Sequence, residues 1–171
     1  MFSKLRRAKH DLKTMNQLFP NAELIAKNEG APKPAAEHLL LAAIDLDDNT
    51  ASDALGEFGV DRPALREAIK TQHSETLLNI GLAVDDDAIG AVLPQPTTPT
   101  GLYQSEGSAQ RLFQRAVALA KLDRSNLYSG HVLIAATELE EGTLARSLRH
   151  LAIDPTILRS VTKRRLAELN Q

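Results

Sequence analysis

Two histidines, His38 and His131, each stand immediately ahead of a run of leucine, isoleucine, valine and alanine in a chain of 171 residues. Repeated imidazoles raise the prospect of a metal site or of acid–base chemistry. A metal needs further ligands at useful spacing, and neither histidine has a second one. The chain contains no cysteine, which removes thiolate sites, disulfides and cysteine nucleophiles together. An imidazole at the start of a buried helix bonds a neighbouring backbone group, and this structural role is the expectation for both. Ser129 lies two positions before His131 but lacks the strand-turn-helix Gly-x-Ser-x-Gly setting that presents a nucleophile. No catalytic residue is assigned. Asp85-Asp86-Asp87 offers charge to a hard cation, yet three successive carboxylates point in different directions and lack the alternating ligands and glycine of a calcium loop. That run reads as a solvated loop or a helix start, so neither metal nor cofactor is expected. No Gly-x-x-x-x-Gly-Lys-Ser/Thr phosphate loop occurs in the sequence, and ATP has no candidate site.

Charge leads to similar exclusions. Twenty basic residues against 22 acidic ones give a formal charge of -2, so no net field draws the whole molecule toward nucleic acid or an anionic membrane. One local exception is the basic arm of residues 1–11, with Lys4, Arg6, Arg7, Lys9 and His10. It reads as a solvated helix extension, with an anionic partner, nucleic acid or a membrane surface, as the alternative; a handful of cations gives only weak, salt-sensitive affinity. No apolar segment follows the arm, and no run approaches the roughly 18 apolar residues of a membrane span. Secretion and membrane insertion are disfavoured. The lack of cysteine fits a reducing compartment, and cytoplasm is the default expectation.

The elements that position these residues come in two copies. Glu37-His38-Leu39-Leu40-Leu41-Ala42-Ala43-Ile44-Asp45-Leu46 recurs as Gly130-His131-Val132-Leu133-Ile134-Ala135-Ala136-Thr137-Glu138-Leu139, at an offset of 93 residues. Without a gap the register continues to Lys70 and Lys163, pairing Thr50 with Thr143, Leu55 with Leu148 and Asp61 with Asp154. Upstream, with one residue inserted, Leu18-Phe19, Ala22 and Ala26-Lys27 match Leu112-Phe113, Ala116 and Ala120-Lys121. The copies therefore cover 12–70 and 106–171, the second running to the end of the chain, with 71–105 between them.

Periodicity predicts four helices per copy. Leu112, Phe113, Ala116, Leu119 and Ala120 form one apolar stripe, opposite Arg111, Gln114 and Arg115. The segment after each histidine is apolar nearly all round and suits a central buried helix. Ala51, Ala54, Leu55 and Phe58 follow at helical spacing, and Gly59 can take the left-handed conformation that ends a helix; Ala152 is a weaker stop. Asp61 and Asp154 stand as N-caps of a last helix, with Pro155 at its first position in the second copy. Pro20 predicts a kink or restart in the first helix, because proline costs about 3 kcal/mol inside one. Between the copies, Leu77 to Leu82 is apolar, a short helix is expected over about 85–92, and Pro94, Pro96, Pro99 and Gly101 mark a mobile linker.

The duplicated His-plus-apolar helix, the Leu-x-x-x-Gly-Val-Asp turn and the Leu78-Asn79-Ile80-Gly81-Leu82 element resemble the Clp N-terminal repeat domain, over about residues 12–166. The last element is similar to one in stand-alone actinobacterial members. The resemblance implies an all-α, pseudo-twofold bundle of about eight helices. It also implies a non-enzymatic, separately encoded module that receives protein or peptide clients, adaptors or small ligands of the Clp proteolytic system, with Clp-family AAA+ components as further candidate partners. Some members grip the guanidinium of a phosphoarginine tag with a glutamate in each repeat, and Glu37 matches the first of these. The candidate ligand-binding residues are then Glu37 and His38, with Leu12, Lys13 and Thr14 at the opening of the repeat, and an arginine-containing peptide is the implied partner. The second glutamate corresponds to Gly130. Leu12 and Glu106 replace the family's two phosphate-binding threonines, and Glu106 would repel phosphate.

Overall fold

A computed structural model describes residues 2–79 and 107–169. They form helices only: α1 (Phe2–Asn28), α2 (Ala36–Ile44), α3 (Thr50–Gly56), α4 (Arg62–Asn79), α5 (Gly107–Leu122), α6 (Ser129–Thr137), α7 (Thr143–His150) and α8 (Pro155–Leu169). The chain is thus all-α, with two sets of four helices in the same order. Ile80 to Leu82, the aspartate run, the expected helix over 85–92, the proline-rich linker and Glu106 lie outside the described residues.

The two central helices carry the core. Every residue of α2 and of α6 is buried, and the two pack against each other while α1 covers α2 and α5 covers α6. Leu39, Leu40, Leu41 and Leu133 are almost fully enclosed, and each such side chain contributes about 1.5–3 kcal/mol relative to exposure. The outer helices cross over between the copies: α3 packs on α8, and α4 packs on α7. Neither copy therefore closes its own core, and a single cluster of buried side chains runs through both.

The ends follow local chemistry. Asp61 Oδ1 accepts from the Ala64 amide at 2.9 Å, and Asp154 Oδ1 accepts from the Thr156 and Ile157 amides at 2.7 and 3.1 Å. Pro155 opens α8. Gly59 adopts φ 69°, and Ala152 is held in the same left-handed region at φ 54°. Of the kink or restart expected at Pro20, the restart is not seen, since α1 runs through it as one helix. Packing explains this. Leu18, Ala22 and Ala26 are buried on one side of the helix, while Pro20 is exposed and its ring meets solvent. Residues 71–79, placed between the copies by sequence, continue α4, where Thr76 Oγ1 accepts from Arg146 Nη2 of α7 at 3.1 Å.

The basic arm is the first part of α1. Its inner side is engaged: Arg7 donates to the Arg124 carbonyl, Asp11 Oδ1 accepts from the Leu127 amide at 2.7 Å, and His10 lies edge-on to Tyr128 at 5.2 Å. Arg6 and Lys9 are exposed on the other side.

Candidate functional site

The first turns of α2 and α6 hold most of the sequence candidates. In α2, His38 Nδ1 accepts the Ala35 amide at 2.9 Å, and its Nε2 lies 3.3 Å from Glu29 Oε2. In α6, His131 Nδ1 accepts the Tyr128 amide at 3.1 Å, and its Nε2 meets Asp123 Oδ2 at 3.5 Å and Ser125 Oγ at 3.2 Å. An amide that donates to Nδ1 requires that nitrogen to be bare, so the proton of the neutral ring sits on Nε2. Neither Nε2 is then free to act as a base. Both histidines tie a helix start to the end of the preceding helix, which is the structural role expected of them. Burial pushes the His131 imidazole below its ordinary value, against the opposing pull of Asp123.

Ser129 belongs to a different cluster. Its Oγ contacts Thr50 Oγ1 at 2.9 Å, accepts from the Ala51 amide at 3.0 Å and donates to Asp48. The Asp48 carboxylate also accepts from the Ser129 and Thr50 amides at 2.9 and 3.0 Å, and the Gly130 amide donates to Thr50 Oγ1 at 2.8 Å. The starts of α3 and α6 thus cap one another across the two copies, around a single carboxylate. Among the described residues no three His, Asp or Glu side chains are grouped to hold a metal ion.

Glu37 is the second residue of α2 and is only 6% exposed. Its Oε1 lies 3.0 Å from Nε2 of His73 on α4, whose side chain is half exposed. Burial pushes the Glu37 carboxyl up, but the hydrogen bond from His73 and the carboxylate's own backbone amide outweigh it and hold the group below the ordinary range. The result is an enclosed, ionised carboxylate with an accessible imidazole as its partner. At the equivalent place in α6, a Cβ on Gly130 would stand 3.0 Å from both Leu166 Cγ and Thr50 Oγ1. A side chain there would need Leu166 or Thr50 to give by a few tenths of an ångström.

The model of the Clp repeat (R) N-terminal domain matches residues 13–126, more than half of the chain. The chain belongs to this family. This Clp repeat domain is also similar in structure to the N-terminal domain of the caseinolytic protease associated chaperone ClpD from Arabidopsis thaliana. That likeness has a TM-score of 0.59 and 17% sequence identity, and covers 90% of this chain and 92% of that one. No curated protein sequence matches the chain. At this identity the structural likeness speaks for the fold, an all-α arrangement of about eight helices.

The remaining candidates of the Clp repeat domain do not gather around Glu37. Leu12 is exposed, and Lys13 is exposed and paired with Asp47 at 3.2 Å. Thr14 is buried, its hydroxyl donating to the Leu127 carbonyl at 3.2 Å. His38 shares the first turn with Glu37 but bonds Glu29 instead. His73 went unnoticed in the sequence, since nothing in a lone histidine of an amphipathic helix announces a partner 36 residues away. The Asp48, Thr50 and Ser129 cluster was equally silent, because its two halves stand about 80 residues apart and only the cross-copy packing joins them.

Proposed function

We propose that this Clp repeat domain is a non-enzymatic module that receives peptide segments of clients or adaptors of the Clp proteolytic system, and that its first repeat binds an arginine side chain at Glu37. The observation that carries this reading is the Glu37–His73 pair: an ionised carboxylate in a low-dielectric setting, whose side-chain partner is an exposed imidazole that a guanidinium can displace. Gly130 brings no carboxylate to the second repeat, and Thr50 and Leu166 crowd its place, which supports a single site. Leu12 has no hydroxyl and that of Thr14 is already engaged, so recognition rests on the guanidinium and does not need its phosphorylation.

The test is a titration of the labelled protein with an arginine-bearing and a phosphoarginine-bearing peptide, followed by amide shifts. Shifts are expected near Glu37 and His73 and not near Gly130, with the phosphorylated peptide binding no more tightly. A charged hydrogen bond contributes about 1.5–3 kcal/mol, so Glu37→Ala should weaken binding roughly ten-fold or more. Equal shifts at both repeats, or unchanged affinity in Glu37→Ala, would remove the assignment.

A further inference from the structure

We propose a second peptide site, independent of Glu37, in the cleft between the end of α6, α7 and the start of α8: a site for an acidic side chain followed by a large aliphatic one. The cleft has a volume of about 530 Å³, within the range of ligand sites. Buried Ala136, Ala145 and Leu148 form its floor, and half-buried Leu139 stands with Pro155 at its sides. Two guanidiniums flank this apolar surface, and both are held in place. Arg149 donates through Nε to the Ala145 carbonyl at 3.2 Å and through Nη2 to the Glu140 carbonyl at 2.9 Å. Arg159 donates through Nε to Thr137 Oγ1 at 3.3 Å.

Of the two guanidiniums, Arg159 is ion-paired with Glu138, while Arg149 has no carboxylate partner among the described residues. Glu138 is taken by a two-pronged pair with Arg115 and lies 3.8 Å from Arg159, with Lys163 near enough to help hold its carboxyl below the ordinary range. Glu140 is exposed at the rim. The wider field has the same sign: residues 107–169 carry ten Lys and Arg against six Asp and Glu, whereas residues 12–79 carry six against eleven. A preorganised guanidinium beside an apolar floor suits a carboxylate with an aliphatic neighbour.

The first repeat supplies an internal control. Its equivalent cleft, about 390 Å³, is lined by Ile44, Leu55 and Val60. There Gly56 replaces Arg149, and Arg62 is closed onto Asp45 at 2.9 Å. The apolar floor is shared and the available guanidinium is not, so occupancy by an acidic peptide is confined to the second repeat.

The experiment titrates the full ¹⁵N-labelled chain with an end-blocked peptide, Gly-Ser-Glu-Leu-Ser-Gly, and with the same peptide carrying glutamine for glutamate. Saturable shifts are expected at the amides of Thr137, Leu148 and Arg149, and none at Ser52, Gly56 and Val60. The glutamine peptide, and Arg149→Gln with the original peptide, should each bind roughly ten-fold more weakly, as loss of one charged hydrogen bond implies. Arg149 is exposed, and unchanged shifts elsewhere will show that the variant is folded. Absence of saturable shifts, equal response of the two clefts, or equal affinity for the two peptides overturns the site. Loss of arginine-peptide binding in Glu37→Ala leaves these outcomes unaffected, so the two sites fail separately.

Discussion

Glu37 and Gly130 occupy equivalent positions in the two repeats, and their difference is set by neighbours far away in sequence. Around Gly130 the Thr50 hydroxyl and the Leu166 side chain crowd the place of a Cβ at 3.0 Å, and Thr50 is itself fixed by Asp48 and Ser129. Gly130→Ala should therefore destabilise the protein by about 1–3 kcal/mol, the usual cost of overpacking; urea denaturation with an unchanged midpoint would contradict this. His131 carries a pH dependence. Its ring is bare at Nδ1 and burial lowers its affinity for a proton. Above the unfolded value of about 6.5 the ring is neutral in both states and its contribution is complete. As pH falls through 6.5 the unfolded chain takes up a proton that the native ring resists, so stability is lost until pH passes below the native value. The carboxylates held low by their partners, Glu29, Glu37 and Glu138, lose their contributions only below their own ordinary value of 4.5. Urea midpoints should thus already decline between about pH 7 and pH 5, and His131→Gln should flatten that decline. An identical slope in the variant would show that the titrating group lies elsewhere.

Among the elements, the third helices show how local signals and packing divide the work. Gly59 and Ala152 end α3 and α7 in the same left-handed conformation, at φ 69° and 54°. For alanine this region costs about 1–2 kcal/mol, which glycine avoids. Ala152→Gly should raise stability by about 1 kcal/mol even after glycine's larger unfolded-state entropy is counted, and Gly59→Ala should lower it by a similar amount. Thermal melts of the two variants that shift in the same direction would refute this. Pro20 shows the reverse case, in which packing overrides a local signal. Helix α1 is continuous because the residues before and after the proline are anchored independently, Asp11 and Thr14 on Leu127 and Ala22 and Ala26 in the core. Its missing amide and the crowding of its ring against the preceding turn cost about 3 kcal/mol, which the anchors on either side offset.

For the whole molecule, the crossing of outer helices matters most. Because α3 rests on α8 and α4 on α7, a fragment of residues 1–79 loses the partners of two of its four helices. It also loses Ser129, which accepts the Ala51 amide at the start of α3. The fragment is expected to be largely unfolded and to melt without cooperativity, while the full chain shows one transition. Circular dichroism during heating will decide, and a cooperative melt of the fragment would mean that the first repeat closes its own core.

The duplication, the all-α class, the buried central helices and the caps at Asp61 and Asp154 were all legible in the sequence. Each rests on interactions within a few residues or on a periodicity that burial imposes directly. Glu37 could be singled out as a carboxylate at a helix start, and His38 and His131 as helix-start imidazoles. What no local pattern contains is which distant group each one meets. The pairing of Glu37 with His73, the crowding around Gly130, the engagement of Thr14 with Leu127 and the exchange of outer helices were decided by tertiary packing. Packing brings together segments about 35 to 115 residues apart whose spacing in sequence carries no trace of their contact. Chain composition and periodicity determine which surfaces must be buried. The assembled bundle alone determines against what.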